Sequence, residues 1–355
     1  MKTLQGSANF RERLLCAILA FEPIEIINIR QYREGLRDHE ICLLRLIQHI
    51  SHGSRLEISE DNCSFEFHPG SLIGGNFTFH CDIGRCLSYY MLFLMTVGAF
   101  CREGIDCTLY GVTTHNKTSD VSVHFLKHVA APLYSRFLDQ IDINILSYGF
   151  GPNGGGVVKL FVPEMIELKS INSTTPGKYV KVGGVSYGGR IAANLVPRLT
   201  TEIRRLLDDK ITDLYINNDH RKGRHAGESP GFACCLYATS VTNTVVGVDS
   251  VAQGGESPED VSSRGVRKLL SRMKEESGAS IPFPLQEWIL PLMALNQRVF
   301  QRVMFGRKVS SKSIVMLKLI RHFFNVKFSV QKQDSGCALI TCRGKGYTNM
   351  SRSAI

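Results

Sequence analysis

From Asp38 to Ile50 the chain places apolar side chains at Ile41, Leu43, Leu44, Leu46, Ile47 and Ile50. Such spacing returns to one face about every 3.6 residues and predicts an amphipathic helix capped by Asp38. Around it, 11–20 reads as a helix, 24–29 as a strand by alternation, and 55–59 and 64–67 as two short strands ending at His68-Pro69-Gly70. The order is helix, strand, helix, strand, strand.

This order returns twice. A helix over 86–100, a strand over 105–110, a helix over 120–138 and strands over 141–146 and 157–162 make a second copy. A helix over 285–295, a strand over 298–305, a helix over 311–324 and strands over 325–330 and 336–342 make a third. Three units, each apolar on one face, can bury those faces around a common axis. The stretch Gly149-Phe-Gly-Pro-Asn-Gly-Gly-Gly156 closes the second copy as a tight turn feeding a strand. It is not a P-loop, because no Lys-Ser/Thr follows and a strand stands where the helix would be.

Between the second and third copies the rhythm breaks. Strands over 179–187, 211–217, 231–239 and 243–248, with helices over 192–207 and 258–276, form an inserted α/β segment. The expected division is a core of 1–177 and 279–355 with three internal repeats, and a smaller inserted domain over 178–278. The loop from Asp219 to His225 is polar and basic, which fits either an RNA contact or a solvated loop.

Composition adds a partner class. Of 355 residues, 42 are Lys or Arg against 32 Asp or Glu, a net charge of +10 spread along the chain, which suits a face that meets a polyanion such as RNA. The N-terminus lacks a signal-peptide core and no apolar run is long enough to span a bilayer, so the cytosol or nucleus is expected. There the 11 cysteines are thiols rather than a disulfide framework. No metal is expected either: Cys81 with Cys86 and Cys337 with Cys342 lack a matching second pair, and His124 with His128 lacks a third ligand.

Several motifs resemble one known family. Gly149–Gly156 is similar to the Gly-x-x-Pro-x-Gly-Gly-Gly turn of the RNA 3'-terminal phosphate cyclases, and the stretch Ile29-Arg30 to Arg33, Gly35, Leu36 and Arg37 looks like that family's arginine loop. His68-Pro69-Gly70 followed by Gly74-Gly75 matches the family pattern with His in place of Arg. The likeness runs nearly end to end and implies that family's repeated α/β core with an inserted α/β domain. Gly6–Arg11, Gly227–Gly231 and Gly344–Asn349 resemble the cyclase-like branch that serves eukaryotic small-subunit ribosome assembly.

The departures bear on chemistry. Ser7, Ala8 and Asn9 stand where cyclases carry an ATP-binding loop, and the stretch Leu285–Pro291 lacks their Asp-Gln. Lys312 falls at the position of the histidine that takes AMP. A covalent nucleophile supplies roughly six orders of magnitude in rate, so a protein without catalysis and without cofactor is expected. A lysyl adenylate at Lys312 would need that amine desolvated or beside another cation. The resemblance implies an anion or RNA-binding set of Arg11, Arg30, Arg33, Arg37 and His68, for which solvated loop arginines are the other reading. A second basic set, Arg298, Arg302, Arg307, Lys308 and Lys312, with Arg343, Lys345 and Arg352 nearby, fits RNA phosphates, a partner surface or an ordinary charged face.

The role implied is a small-subunit processome factor of the nucleolus, needed for early pre-rRNA processing toward 18S rRNA. It would act as a monomer within a large complex, with a ribosome-assembly GTPase, processome proteins and pre-rRNA or snoRNA as partners and no membrane. Two alternatives stay open. One is a pre-rRNA endonuclease using His68, or Lys312 with His322; the other is an ATP-dependent cyclase.

Overall fold

The computed structural model describes residues 1–30, 34–175 and 177–347. Three four-stranded sheets share one topology. In the first, Lys2–Gln5 and Ile24–Ile27 are parallel because the helix Phe10–Ala20 crosses between them, and the hairpin Arg55–Ile58 with Phe65–His68 completes the sheet with its later strand innermost. The second sheet repeats this with Gly75–His80, Ile105–Gly111, Asp142–Ser147 and Gly156–Val162. The third uses Asn172–Ser173, Phe300–Phe305, Phe328–Lys332 and Ala338–Arg343.

Each unit therefore opens with a strand that the periodicity reading assigned to no element. Lys2–Gln5 offers only Leu4 as a strong apolar signal, and Asn172–Ser173 is two polar residues. What holds the latter is pairing: Arg302 N–H donates to the Ile171 carbonyl at 3.0 Å, and Ile171 N–H donates to the Gln301 side-chain oxygen at 2.6 Å. Gly75–His80 does alternate, with Phe77 and Phe79 turned inward. The strand expected over 325–330 is Phe328–Lys332, because Asn325 caps the preceding helix in the left-handed conformation.

The repeats bury their first helices together. Leu87–Val97 is buried on every side and touches both Phe10–Ala20 and Gln286–Leu295. Such all-round apolarity marks a central helix rather than an amphipathic one. The helix expected over 120–138 is instead Val123–Phe125, a π-turn Leu126–Ala130 and a last turn Ala131–Tyr134. Pro132 lacks the N–H that would bond to the His128 carbonyl one turn back, so a regular α-ladder cannot run through it.

The inserted segment leaves the third unit after its opening strand. Tyr179–Gly189, Asp213–Arg221, Gly231–Ser240 and Val245–Val251 form a mixed sheet with Asp213–Arg221 at one edge. Helices Leu195–Leu207 and Pro258–Glu275 pack on one face and share a separate apolar cluster with Val182, Ile216, Leu236 and Val248. From its other face Tyr187 and Cys235 join the larger core.

Glycines make the joint between the two. Gly149–Gly156 lies against Gly227-Glu228-Ser229: Glu228 N–H donates to the Gly154 carbonyl at 3.0 Å and Asn153 N–H to Ser229 Oγ at 3.0 Å. Two stretches that the sequence offered as separate signatures are thus one contact. The segment from Asp219 to His225 belongs to the same joint, and the expected loop is corrected only in its first three residues, since 222–225 stay exposed outside the strand. Asp219–Arg221 is the end of a strand, Tyr148 Oη donates to Asp219 at 2.5 Å, and Arg221 Nη1 donates to the Ile145 carbonyl at 2.8 Å.

Candidate functional site

A cleft runs between the core and the inserted segment in two continuous parts. One, of about 330 Å³, includes Arg11, Tyr89, Arg272, Glu287, Trp288 and Lys312 in its lining. The other, of about 570 Å³, includes His115, Asp249, Gln253, Arg264 and Lys268. Ser119, Asp120, Val121, Arg272 and Pro284 line both.

Arg11 comes from the first turn of Phe10–Ala20 and is only 6% exposed. Its guanidinium carbon stands 4.4 Å from the Tyr89 ring centre and 4.2 Å from that of Trp288. Nη1 donates to the Tyr89 carbonyl at 2.6 Å, and Nη2 is 3.7 Å from Glu12. Nε is buried without a protein partner. A planar cation between two rings is favourable where water is excluded, and it leaves Arg11 rigid. The Tyr89 ring also receives Arg85 at 4.4 Å, whose guanidinium forks onto both oxygens of Asp120. Burial would raise the Asp120 carboxyl, but the Arg85 bonds outweigh it and hold it below the ordinary carboxylate range.

Lys312 enters from the other side, in the first turn of Ser311–Phe324. Ser310 caps that helix, its Oγ accepting from Ser313 N–H at 2.9 Å. Gln286 fixes the approach, accepting from Ser310 N–H at 2.9 Å and donating to the Lys308 carbonyl at 3.1 Å. The Lys312 side chain is exposed, whereas Glu287 beneath it is buried. Burial pushes the Glu287 carboxyl up to about 6 even though Lys312 and Arg11 pull it down. Arg272 completes the wall, 3.2 Å from Glu276 and over the Phe283 ring at 5.2 Å. Three cations, a helix N-terminus and a protonatable carboxyl converge here, an arrangement able to hold an anion.

The other expected site residues are placed elsewhere. The Arg30 guanidinium is bonded to the buried Glu40 carboxylate and donates to the Gly35 carbonyl at 2.8 Å, closing its own loop. Arg37 is 3.6 Å from Glu34 and exposed. His68 stands on the first sheet, 3.9 Å from Glu66, and lines neither part of the cleft. Arg33 and Arg352 lie outside the described residues. The second basic set divides: Lys312 lines the cleft with Arg11, Lys308 is 3.7 Å from Glu275, Arg307 is exposed beside Gly336, Arg302 belongs to the third sheet, and Arg298 lies in the bend before the strand Phe300–Phe305.

Sequence reading missed Tyr89, Trp288, Glu287, Arg272 and the Arg85–Asp120 pair. Trp288 alone carried a signal, as the single tryptophan of the chain. Among the described residues no group of three or more His, Cys, Asp or Glu is arranged to hold a metal ion, and no helix is long and apolar enough to cross a membrane.

With this geometry in hand, comparison with known proteins is decisive. The sequence profile described as RNA 3'-terminal phosphate cyclase matches residues 2–330. The chain belongs to that family. Its relatives include a probable RNA 3'-terminal phosphate cyclase-like protein of Dictyostelium discoideum, 33% identical over 99% of this chain and 100% of that protein. The RNA 3'-terminal phosphate cyclase-like protein of Homo sapiens is 32% identical over 98% of this chain and 97% of its own length. An rRNA processing protein of Schizosaccharomyces pombe is 30% identical over 99% and 98%. Of the residues that the resemblance singled out, Arg11 and Lys312 line one part of the cleft. In this chain no histidine lines that part of it among the described residues.

Proposed function

We propose that this protein is a non-catalytic assembly factor of the small-subunit processome, required in the nucleolus for early pre-rRNA processing toward 18S rRNA and working with a ribosome-assembly GTPase. The name of one relative, the rRNA processing protein of Schizosaccharomyces pombe, supports a role in rRNA processing. The observation that carries the non-catalytic reading is that Arg11 shares the cleft with an exposed lysine, Lys312, at the start of a helix. In this reading the position that takes AMP in a cyclase holds an amine open to solvent rather than an imidazole, and no histidine lines this part of the cleft among the described residues. In this reading the cleft grips a phosphate of RNA between Arg11, Arg272 and Lys312.

Incubation with labelled ATP and magnesium or manganese tests the chemistry: no covalent adenylate is expected, and an adenylate on Lys312 would overturn the proposal. Depletion of the protein is expected to cause loss of 18S rRNA, and affinity purification of the protein is expected to bring down a GTPase. A nuclease gains no support from the geometry, since Lys312 and His322 are ten residues apart on one helix, about 15 Å along its axis.

A further inference from the structure

Three sheets of one topology invite comparison of their outer faces. Across the first, residues in register run Thr3, Glu25, Glu66 and Glu57, an acidic row. The second runs Asn76, Asp106, Phe161 and Asp142, with Lys159 on the next row. The third runs Asn172, Arg302, Thr341 and Ser329, with Phe300 opposite Arg343 two residues along. Phe300 is 65% exposed, and Arg302 and Arg343 are exposed on either side of it. Arg298 stands beside them, its carbonyl accepting from Arg343 Nε at 3.2 Å.

Arg30 with Glu40, Arg85 with Asp120 and Arg264 with Glu256 have carboxylate partners. Among the described residues Arg298, Arg302 and Arg343 have no ion pair. A large aromatic ring left in water, bracketed by cations without counter-ions and followed along the face by the hydroxyls of Thr341 and Ser329, matches one kind of ligand. Bases stack on an exposed ring, phosphates satisfy the guanidinium groups, and hydroxyls bond to base or ribose edges. An apolar protein segment would call for a contiguous apolar patch, and the neighbours in register are polar.

We propose that the outer face of the third sheet, centred on Phe300, Arg302 and Arg343, is a stacking platform for single-stranded RNA. It is separate from the cleft of Arg11 and Lys312 and rests on the proposed role in pre-rRNA processing.

The test uses the full chain and a short fluorescent oligouridylate, with binding read by anisotropy over a range of salt. Phe300→Ala is expected to weaken binding roughly five- to hundredfold. Phe161→Ala, which removes a 45%-exposed ring from the second sheet, is expected to leave it unchanged. Arg302→Ala and Arg343→Ala are each expected to lower the slope of log affinity against log salt by about 0.7. Because all four side chains are exposed, unchanged melting temperatures confirm that the variants fold. Equal affinity in wild type and Phe300→Ala overturns the platform while leaving RNA binding in the cleft and the processing role standing. No binding by the wild type at low salt also overturns it, and loss of 18S rRNA on depletion, measured separately, then decides the processing role. Polyglutamate offers carboxylates without bases; if it displaces RNA equally from wild type and Phe300→Ala, the face belongs to an acidic protein segment and the proposal falls.

Discussion

Gly227 of the inserted segment rests on Gly149 of the glycine turn so closely that a Cβ at position 227 would stand 3.1 Å from the Gly149 Cα and 2.6 Å from the Gly154 carbonyl oxygen. Gly227 also has φ +66° and ψ −158°, a conformation open essentially to glycine alone. Gly227→Ala is therefore expected to cost about 1–3 kcal/mol from the backbone alone, and more from overlap with a hydrogen-bonded turn that has little room to retreat. Urea unfolding followed by near-UV circular dichroism checks this. A loss below about 0.5 kcal/mol, the range of ordinary surface changes, would mean that the joint is looser than the geometry says.

Arg11 and Lys312 share a cleft but not a role, and single substitutions should separate them. Arg11→Ala removes a buried cation from between two rings and leaves the Tyr89 carbonyl without its donor. The expected loss of stability is about 2–4 kcal/mol. Lys312→Ala alters an exposed side chain and should change stability by less than about 0.5 kcal/mol. Both should weaken protection by pyrophosphate against thermal unfolding, each by at least about tenfold in apparent affinity. Equal stability effects would remove the distinction between a structural and a solvent-facing cation.

The two arginines also show where sequence reading stopped. Spacing predicted the helix at 38–50 because its apolar positions all fall on one face, and Leu43, Leu44, Leu46, Ile47 and Ile50 are buried as that requires. The glycine turn was legible as a tight turn because φ preference is a local property. Pairing is not local. Arg30 and Arg11 look alike in sequence, yet one is neutralised by Glu40, ten residues on, while the other meets Tyr89 and Trp288, 78 and 277 positions away. Resemblance supplied the family position of Lys312, but its setting over Glu287 depends on Gln286 fixing the turn before the helix. The opening strands of the units were hidden for a related reason: four residues or two become a strand only once a partner strand lies beside them.

A histidine pair at the joint predicts sensitivity to acid. Burial pushes His124 down to about 3 and His128 to about 4, with the neighbouring ring adding to the effect on His124. In the folded protein these rings stay neutral while the unfolded chain takes up protons below about 6.5. Stability is thus fully present above the unfolded value and is lost as pH falls toward 4, at up to about 1.4 kcal/mol per pH unit for each group. His128→Phe keeps a ring stacked on Tyr237, which His128 meets at 4.9 Å, and removes one proton site. The variant should lose less stability than wild type between pH 6.5 and 4. Parallel pH profiles would show that His128 titrates normally in the folded state.

Glu276 predicts the opposite slope. Its carboxyl is 3% exposed at the end of the helix that borders the cleft, and burial pushes it up to about 7 despite Arg272 at 3.2 Å. A raised carboxyl binds a proton in the folded state that the unfolded chain releases above about 4.5. Its contribution is fully present below that value and declines as pH rises toward 7, by up to about 1.4 kcal/mol per pH unit. Glu276→Gln fixes the neutral form with nearly the same shape. The difference in unfolding free energy, variant minus wild type, should grow in the variant's favour from pH 4.5 to 7 and level off above it. A difference that shrinks over this range would mean that Arg272 holds Glu276 ionised, in which case removing the carboxylate would leave Arg272 unpaired beside the cleft and should alter pyrophosphate binding there as well.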